Sequence, residues 1–265
     1  MKIEHYKLHN KIEDEHWWFC ARRTILKNLI QEILPPSKDV RIADIGCGTG
    51  GNLLVLSKYY SCIGLDSSKD AIDLAKKKNT KVPFMCGDSP QALNGMGNKI
   101  NLVLMADVLE HVLEDQKLLE NWVNFVEPGT YFIITVPAKP KLWSKHDVSF
   151  GHHRRYDLDS FQKLFTGLPV EILLSSYFNF YLYPFIKVMR FIKNQLSVLS
   201  GTRPESHHTD FFLPPHFFNK ILENIFAFEF YKLLNLLRGK TTHGFSNGVS
   251  LICIFQKRKG TPSNA

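Results

Sequence analysis

The stretch ADIGCGTGGN, residues 43–52, places glycines at Gly46, Gly48 and Gly51. That spacing lets a backbone turn sharply and approach a ligand with no side-chain carbon in the way. Placed after a strand and opening a helix, such a turn is a ligand site at the carboxyl edge of a parallel sheet. Asp66 follows Gly46 by 20 residues, and a carboxylate there can accept hydrogen bonds from two ribose hydroxyls. Asp88, or its neighbour Ser89, stands where an adenine amino group would be met. These features suit NAD and S-adenosylmethionine equally. Asp44 discriminates. Beneath a diphosphate it would bring like charges together, at a cost of several kcal/mol if desolvated, whereas a sulfonium and an amino group would be attracted. The turn therefore calls for a cationic ligand.

A second set of reactive side chains lies in KHDVSFGHHRRYD, residues 145–157. It holds His146, His152 and His153 beside Arg154 and Arg155. Histidines can take a proton from an acceptor hydroxyl, and paired arginines suit an anionic acceptor such as a phosphorylated or carboxylated molecule. The H-x5-HH run lacks cysteines and a helical i, i+4 pair, so it does not read as zinc spacing.

Alternating strands and helices must position these groups. VRIADI (40–45), SCIGLD (61–66), VPFMCGD (82–88), INLVLMAD (100–107) and GTYFIITVP (129–137) read as strands, several of them continuous apolar runs. ILKNLIQEIL stops at Pro35-Pro36; NLLVLSKYY, SKDAIDLAKKK with Ser68 as N-cap, and LEDQKLLENWVNFV complete the helices. This alternation implies βαβ units and a doubly wound, mostly parallel α/β sheet. From residue 139 the chain becomes a polar loop ending in a cap at Asp157, then FQKLF as helix and VEILLSSYF as strand. Two aromatic helical stretches follow, about 179–197 and 215–237, split by the linker SGTRPESHHTD. GVSLICIFQ (248–256) is a last strand and KRKGTPSNA a frayed tail.

With 265 residues, 44% of them apolar, the chain can bury a large core; its net charge of +8 favours acidic partners without choosing among them. The five cysteines are scattered, which predicts reduced thiols and a cytoplasmic setting. The N-terminus has no apolar signal region, and no run reaches the ~18 apolar residues of a membrane span. Thirteen of 20 phenylalanines lie between Phe161 and Phe230, in amphipathic stretches interleaved with Lys and Arg. Such stripes predict a cover for a lipid-like acceptor, peripheral contact with a membrane surface, or a homodimer interface.

Taken together, ADIGCGTG, GLD, CGD and DVLEHV resemble the motifs of class I S-adenosylmethionine-dependent methyltransferases, in particular the ubiquinone O-methyltransferase-like group. The resemblance covers residues 15–178 and the final strand. It implies a seven-stranded Rossmann-like sheet with an antiparallel last strand. A helical cover would span 1–38, the cofactor core 39–178, an aromatic helical insertion 179–247, the closing strand 248–257 and a flexible tail 258–265. Carried over by position, Gly46, Cys47 and Gly48 approach the cofactor with Asp44 and Asn52 nearby. Asp66 and Ser67 lie at the ribose, Asp88 and Ser89 at the adenine, and Met105 and Ala106 at the methionine end. EHWWFCARR is similar to the group's cover helix, in which an arginine, here Arg22 or Arg23, pairs with the methionine carboxylate. His111 joins His146 and His153 as a candidate base. Glu110-His111 matches half of a metal site seen in related quinone-type enzymes, and with no third ligand identifiable no metal is assigned.

The implied function is methyl transfer to a small-molecule, sugar- or lipid-linked acceptor, at oxygen, carbon or nitrogen. The alternatives are an NAD-dependent oxidoreductase, opposed by Asp44, and a non-catalytic cofactor-binding partner subunit. Nucleic acid is disfavoured, because ADVLEH contains no Asn-Pro pair to hold a flipped base.

Overall fold

The computed structural model describes residues 3–93, 99–199 and 212–259, with 193–199 as backbone only. The linker 200–210 and most of the frayed tail lie outside the described residues. Seven strands form one sheet: β1 (Arg41–Ile45), β2 (Ser61–Asp66), β3 (Phe84–Cys86), β4 (Leu102–Ala106), β5 (Tyr131–Pro137), β6 (Val170–Phe178) and β7 (Ser250–Lys257). Their spatial order is β3-β2-β1-β4-β5-β7-β6. The first five run parallel, while β7 pairs antiparallel with both β5 and β6. The chain order reverses beside β1, between β1 and β4, which is where an open α/β sheet leaves a crevice at its carboxyl edge. Leu102, Val103, Leu104 and Met105 are fully buried, as a continuous apolar strand covered on both faces should be.

Helices cover both faces. α1 (Ile3–Ile12) and α2 (Trp17–Ile33) precede the sheet. The His16 side chain accepts from Trp18 N at the start of α2, and α2 ends just before Pro35-Pro36, which cannot continue a helix. α3 (Gly51–Leu56), α4 (Lys69–Lys78) and α5 (Asp115–Phe125) are the crossovers. Ser68 caps α4 by accepting from Ala71 N at 3.3 Å, as the sequence predicts.

Three local expectations need adjustment. The strand read over 82–88 pairs residue for residue only through Phe84–Cys86; Pro83 cannot donate, and Gly87, at φ of +149°, makes the last bond to β2, at 2.8 Å to Asp66 O. The polar loop after β5 contains a helix, α6 (Lys145–Phe150), closed by a capping box between Ser144 and Asp147. It is followed by α7 (Leu158–Lys163), capped by Asp157. The first aromatic stretch is α8 (Tyr183–Leu199), but the second divides at Phe228–Glu229 into α9 (His216–Ala227) and α10 (Phe230–Leu237). α9 packs on α2, where Asn219 accepts from Trp17 N at 2.9 Å and donates to Glu15 O at 2.8 Å. The N-terminal cover and the aromatic insertion are therefore bound to each other.

Glu229 explains the division. Its buried Oε1 accepts from Phe180 N at 2.7 Å and Tyr181 N at 3.0 Å, tying the second stretch to the end of β6. Burial pushes its carboxyl up to about 7, with those N–H groups opposing. The unfolded chain ionises this group near 4.5, so the folded state binds the extra proton between about 4.5 and 7. Stability should fall across that window as pH rises, by roughly 3 kcal/mol for a buried group. Glu229→Gln keeps the accepting oxygen and removes the titration. Thermal melts of both proteins from pH 5 to 8 should show a wild-type decline that the variant lacks; parallel curves would disprove the assignment.

Candidate active site

β1 runs into a turn whose backbone only glycine adopts comfortably, with φ of +67° at Gly46 and +54° at Gly48. A side-chain carbon at Gly46 would lie 2.6 Å from a methyl of Val108, so that glycine lets the strand pack. One at Gly48 would meet nothing within 4 Å, so its backbone faces open cavity. Gly51 has an ordinary conformation; it admits the Glu13 carboxylate at the start of α3. Asp66 ends β2 with one oxygen on Gly48 N at 2.9 Å and the other on Ser68 N at 2.8 Å. Burial raises its carboxyl, and these two bonds counter the shift.

The cavity at this edge has a volume of about 1010 Å³. Gly46, Cys47, Gly48, Asn52, Asp66, Ser67, Asp88 and Ala106 all stand on its wall. Three of the residues assigned to the cofactor do not. Met105 is fully buried in β4, because alternate strand residues point to opposite faces and Ala106 takes the cavity side. Ser89 turns away after Asp88. Asp44 is sealed beneath the turn, where Asn52 Nδ2 donates to it at 3.3 Å and its other oxygen has no hydrogen-bond partner among the described residues. Burial pushes its carboxyl up to about 7. Its hydrogen-bond partner Asn52 stands between it and the cavity, and a positive charge above the turn would favour its ionised form. The orphaned oxygen and the open face of Gly48 both fit a ligand carrying a sulfonium and an amino group.

The roof comes from α1, α2 and α6. Glu13 accepts from Lys78 Nζ at 2.6 Å and from the Thr49 hydroxyl, anchoring the end of α1 to α4 and to the glycine turn. Arg22 lies on the cavity wall, its guanidinium 4.4 Å from the centre of the Trp18 ring and paired with Asp107. Asp107 has φ of +60°, a conformation uncommon outside glycine that bends its carboxylate toward Arg22 and Thr135. Arg23 also lines the cavity but is engaged by Glu13 O at 2.5 Å and Asp14 at 3.7 Å. Both arginines thus have protein partners, and Arg22 faces the cofactor side. His9 stacks on Phe150 at 5.2 Å, and burial, with His146 and Arg22 nearby, pushes it down to about 3. Nothing in the N-terminal sequence pattern singles out Tyr6, His9 or Glu13 as cavity residues.

Opposite the glycine turn, Asp147 is fully buried and accepts from Arg155 Nε at 2.7 Å, with His152 Nδ1 at 2.9 Å from the same oxygen. Burial alone would raise this carboxyl, but His152 and Arg155 hold it well below the usual range. His152 meets His111 edge-on at 4.7 Å between ring centres. Burial, then His152, pushes His111 down to about 3, so it is a neutral imidazole facing the cavity. His146 lies 6.2 Å from His152, while His153 is exposed at the rim, its N–H donating to Glu110 O at 2.7 Å. All three histidines predicted as bases line one cavity. The third partner that sequence spacing leaves unidentified is His152: Glu110, His111 and His152 place ligand atoms within 4.8 Å of one another. Glu110 is buried, and burial with Asp107 nearby raises its carboxyl well above the usual range; one of its oxygens lacks a partner among the described residues. The two arginines read as an anion site are engaged internally, Arg155 with Asp147 and Arg154 with Asp115 at 2.7 Å.

A family model described as a methyltransferase domain matches residues 19–172, more than half of the chain, and includes the glycine turn, Asp66, Glu110, His111 and His152. The chain belongs to this methyltransferase domain family. The oxidoreductase alternative falls with that finding. Among curated proteins, the chain is 28% identical over 109 residues to a ubiquinone biosynthesis O-methyltransferase of Coxiella burnetii (39% of this chain, 45% of the relative). It is 30% identical over 116 residues to the norajmaline N-methyltransferase of Rauvolfia serpentina (41% of this chain, 39% of the relative). The chain spans less than half the length of these curated relatives. In fold it resembles the plantazolicin methyltransferase BpumL, solved in complex with SAH, at a TM-score of 0.57 and 18% identity over 97% of this chain and 90% of that one. It also resembles the [4+2]-cyclase SpnF, with a TM-score of 0.54 and 16% identity, covering 89% and 81% of the two chains. The motifs and membership of the methyltransferase domain family agree on S-adenosylmethionine as the cofactor.

Proposed function

We propose that the methyltransferase transfers a methyl group from S-adenosylmethionine to a hydroxyl of an amphiphilic acceptor, with His111 as the base. The donor, when bound, supplies an electrophilic methyl on a sulfonium. The protein's task is to hold an acceptor oxygen in line with that methyl, exclude water and receive the proton. Gly48, Asn52 and Asp66 would hold the donor on the cavity floor, with Arg22 above. His111 stands across the same cavity, neutral, so its ring nitrogen can take the proton as the oxygen is alkylated. Asp147 pairs with His152, whose ring meets His111 edge-on, so this pair positions the imidazole on the cavity wall. The mouth is apolar, formed in part by Phe185, Met189, Phe218 and Ile221, which favours an acceptor with an apolar body and a polar reacting end.

The observation that carries this reading is the neutral, half-buried His111 on the wall of a cavity whose floor is the glycine turn. It is supported by the name of the curated relative that is an O-methyltransferase. Incubation with S-adenosylmethionine and matched amphiphiles, bearing a phenol, an alcohol or an amine, should yield S-adenosylhomocysteine with the hydroxyl compounds. Turnover confined to amines would overturn the oxygen assignment. The Glu110–His111–His152 group favours a second reading, in which these residues would hold a divalent cation that would make the acceptor hydroxyl more acidic. Activity abolished by a chelator and restored by one metal would select that route.

A further inference from the structure

We propose that the exposed apolar faces of α8 and α9 seat the protein on an anionic lipid bilayer, from which the acceptor enters the cavity. Fourteen of the 21 large apolar side chains exposed among the described residues fall between Tyr181 and Tyr231. They are not scattered. On α8, Phe185, Val188, Met189 and Ile192 recur at helical spacing, and on α9 Phe217, Ile221 and Ile225 do the same, continued by Phe228 just past its end, with Phe217 70% exposed. The opposite face of α9 is already used: Asn219 and Phe226 are buried against α2 and β6. These stripes therefore are not the inner faces of packed helices.

Two observations choose a bilayer over a second copy of the chain. The first is continuity with the site. Phe185, Met189, Phe218 and Ile221 are exposed and also line the cavity, so whatever covers the stripes also covers its mouth. A protein partner there would close the entrance, whereas a bilayer holds amphiphiles whose polar ends face it. The second is charge. α8 carries Lys187, Arg190 and Lys193 and no acidic residue; Lys187 is exposed beside the apolar stripe, within a chain of net charge +8. No helix among the described residues is long and apolar enough to cross a membrane, so the contact lies at the interface.

The inference uses the methyl-transfer reading only to say what enters the cavity, and its test separates the two. The full-length chain, saturated with S-adenosylhomocysteine, is sedimented with phosphatidylcholine vesicles, with and without phosphatidylglycerol. It is compared with the double variant Phe217→Ser/Phe228→Ser, whose altered residues lie outside the cavity wall. We expect wild-type binding to the anionic vesicles that weakens with salt, and a partition coefficient lowered about tenfold or more in the variant. S-adenosylhomocysteine affinity, measured by calorimetry on the same samples, should be equal in the two proteins, and this reports on folding and on the donor site independently. Absence of wild-type sedimentation, equal sedimentation of wild type and variant, or a wild-type dimer in ultracentrifugation that the variant converts to monomer, would each overturn the proposal.

Discussion

Replacing His111 by alanine is expected to lower kcat by about 10² to 10⁴ while leaving donor affinity within about twofold. The magnitude follows from the position. His111 faces the cavity, is kept neutral by burial and by His152, and is held in place by the ring contact with His152 and the Asp147 behind it. His153 is exposed at the rim, and His146 belongs to the stack formed with Phe150, 4.5 Å away. His146→Ala should therefore cost less than His111→Ala. Single-turnover methyl transfer, with calorimetry of S-adenosylhomocysteine on the same variants, separates the chemical step from binding. An alanine variant that turns over within about threefold of wild type would remove His111 from the chemistry and leave positioning as the protein's main contribution.

The glycine turn, Asp66 and the parallel strands were legible in the sequence because their determinants are local. A strand, a turn and a carboxylate at the next strand end are fixed by spacing and by the steric demands of positive φ at Gly46 and Gly48. The antiparallel β7 was legible through family resemblance, since an apolar run alone carries no direction. Asp44 was read correctly as an acid beneath the turn, but its burial and its reliance on Asn52 depend on how tightly β1 is covered, which periodicity does not show. The same holds for Met105, whose assignment to the cavity failed by one residue of strand alternation. What stayed hidden is non-local. His152 approaches His111 only because the segment after β5 folds into α6 and returns under the Asp147–Arg155 pair. Polar composition made that segment look like a solvated loop, whereas its charges are satisfied internally. Glu13 joins α1 to the turn through Thr49 and Lys78, a contact across 65 residues for one of the two bonds.

Asp66 carries the second large expected effect. Its carboxylate stands on the cavity wall at the end of β2, with its oxygens on Gly48 N and Ser68 N, so it both shapes the turn and presents an acceptor to a ribose. A hydrogen bond to a charged group contributes about 1.5–3 kcal/mol, which is a factor of about 10 to 150 in affinity for each one lost. Asp66→Ala removes the acceptor outright, whereas Asp66→Asn keeps one accepting oxygen and should lie between the two.

Titration calorimetry of S-adenosylhomocysteine and of NAD against wild type, Asp66→Asn and Asp66→Ala is the most direct measurement. Donor-site occupancy by the sulfur nucleoside predicts binding of S-adenosylhomocysteine but not NAD, weakened progressively and by at least about tenfold in the alanine variant. Binding of the dinucleotide in its place, or affinity for S-adenosylhomocysteine unchanged by loss of the Asp66 carboxylate in a folded protein, would contradict it.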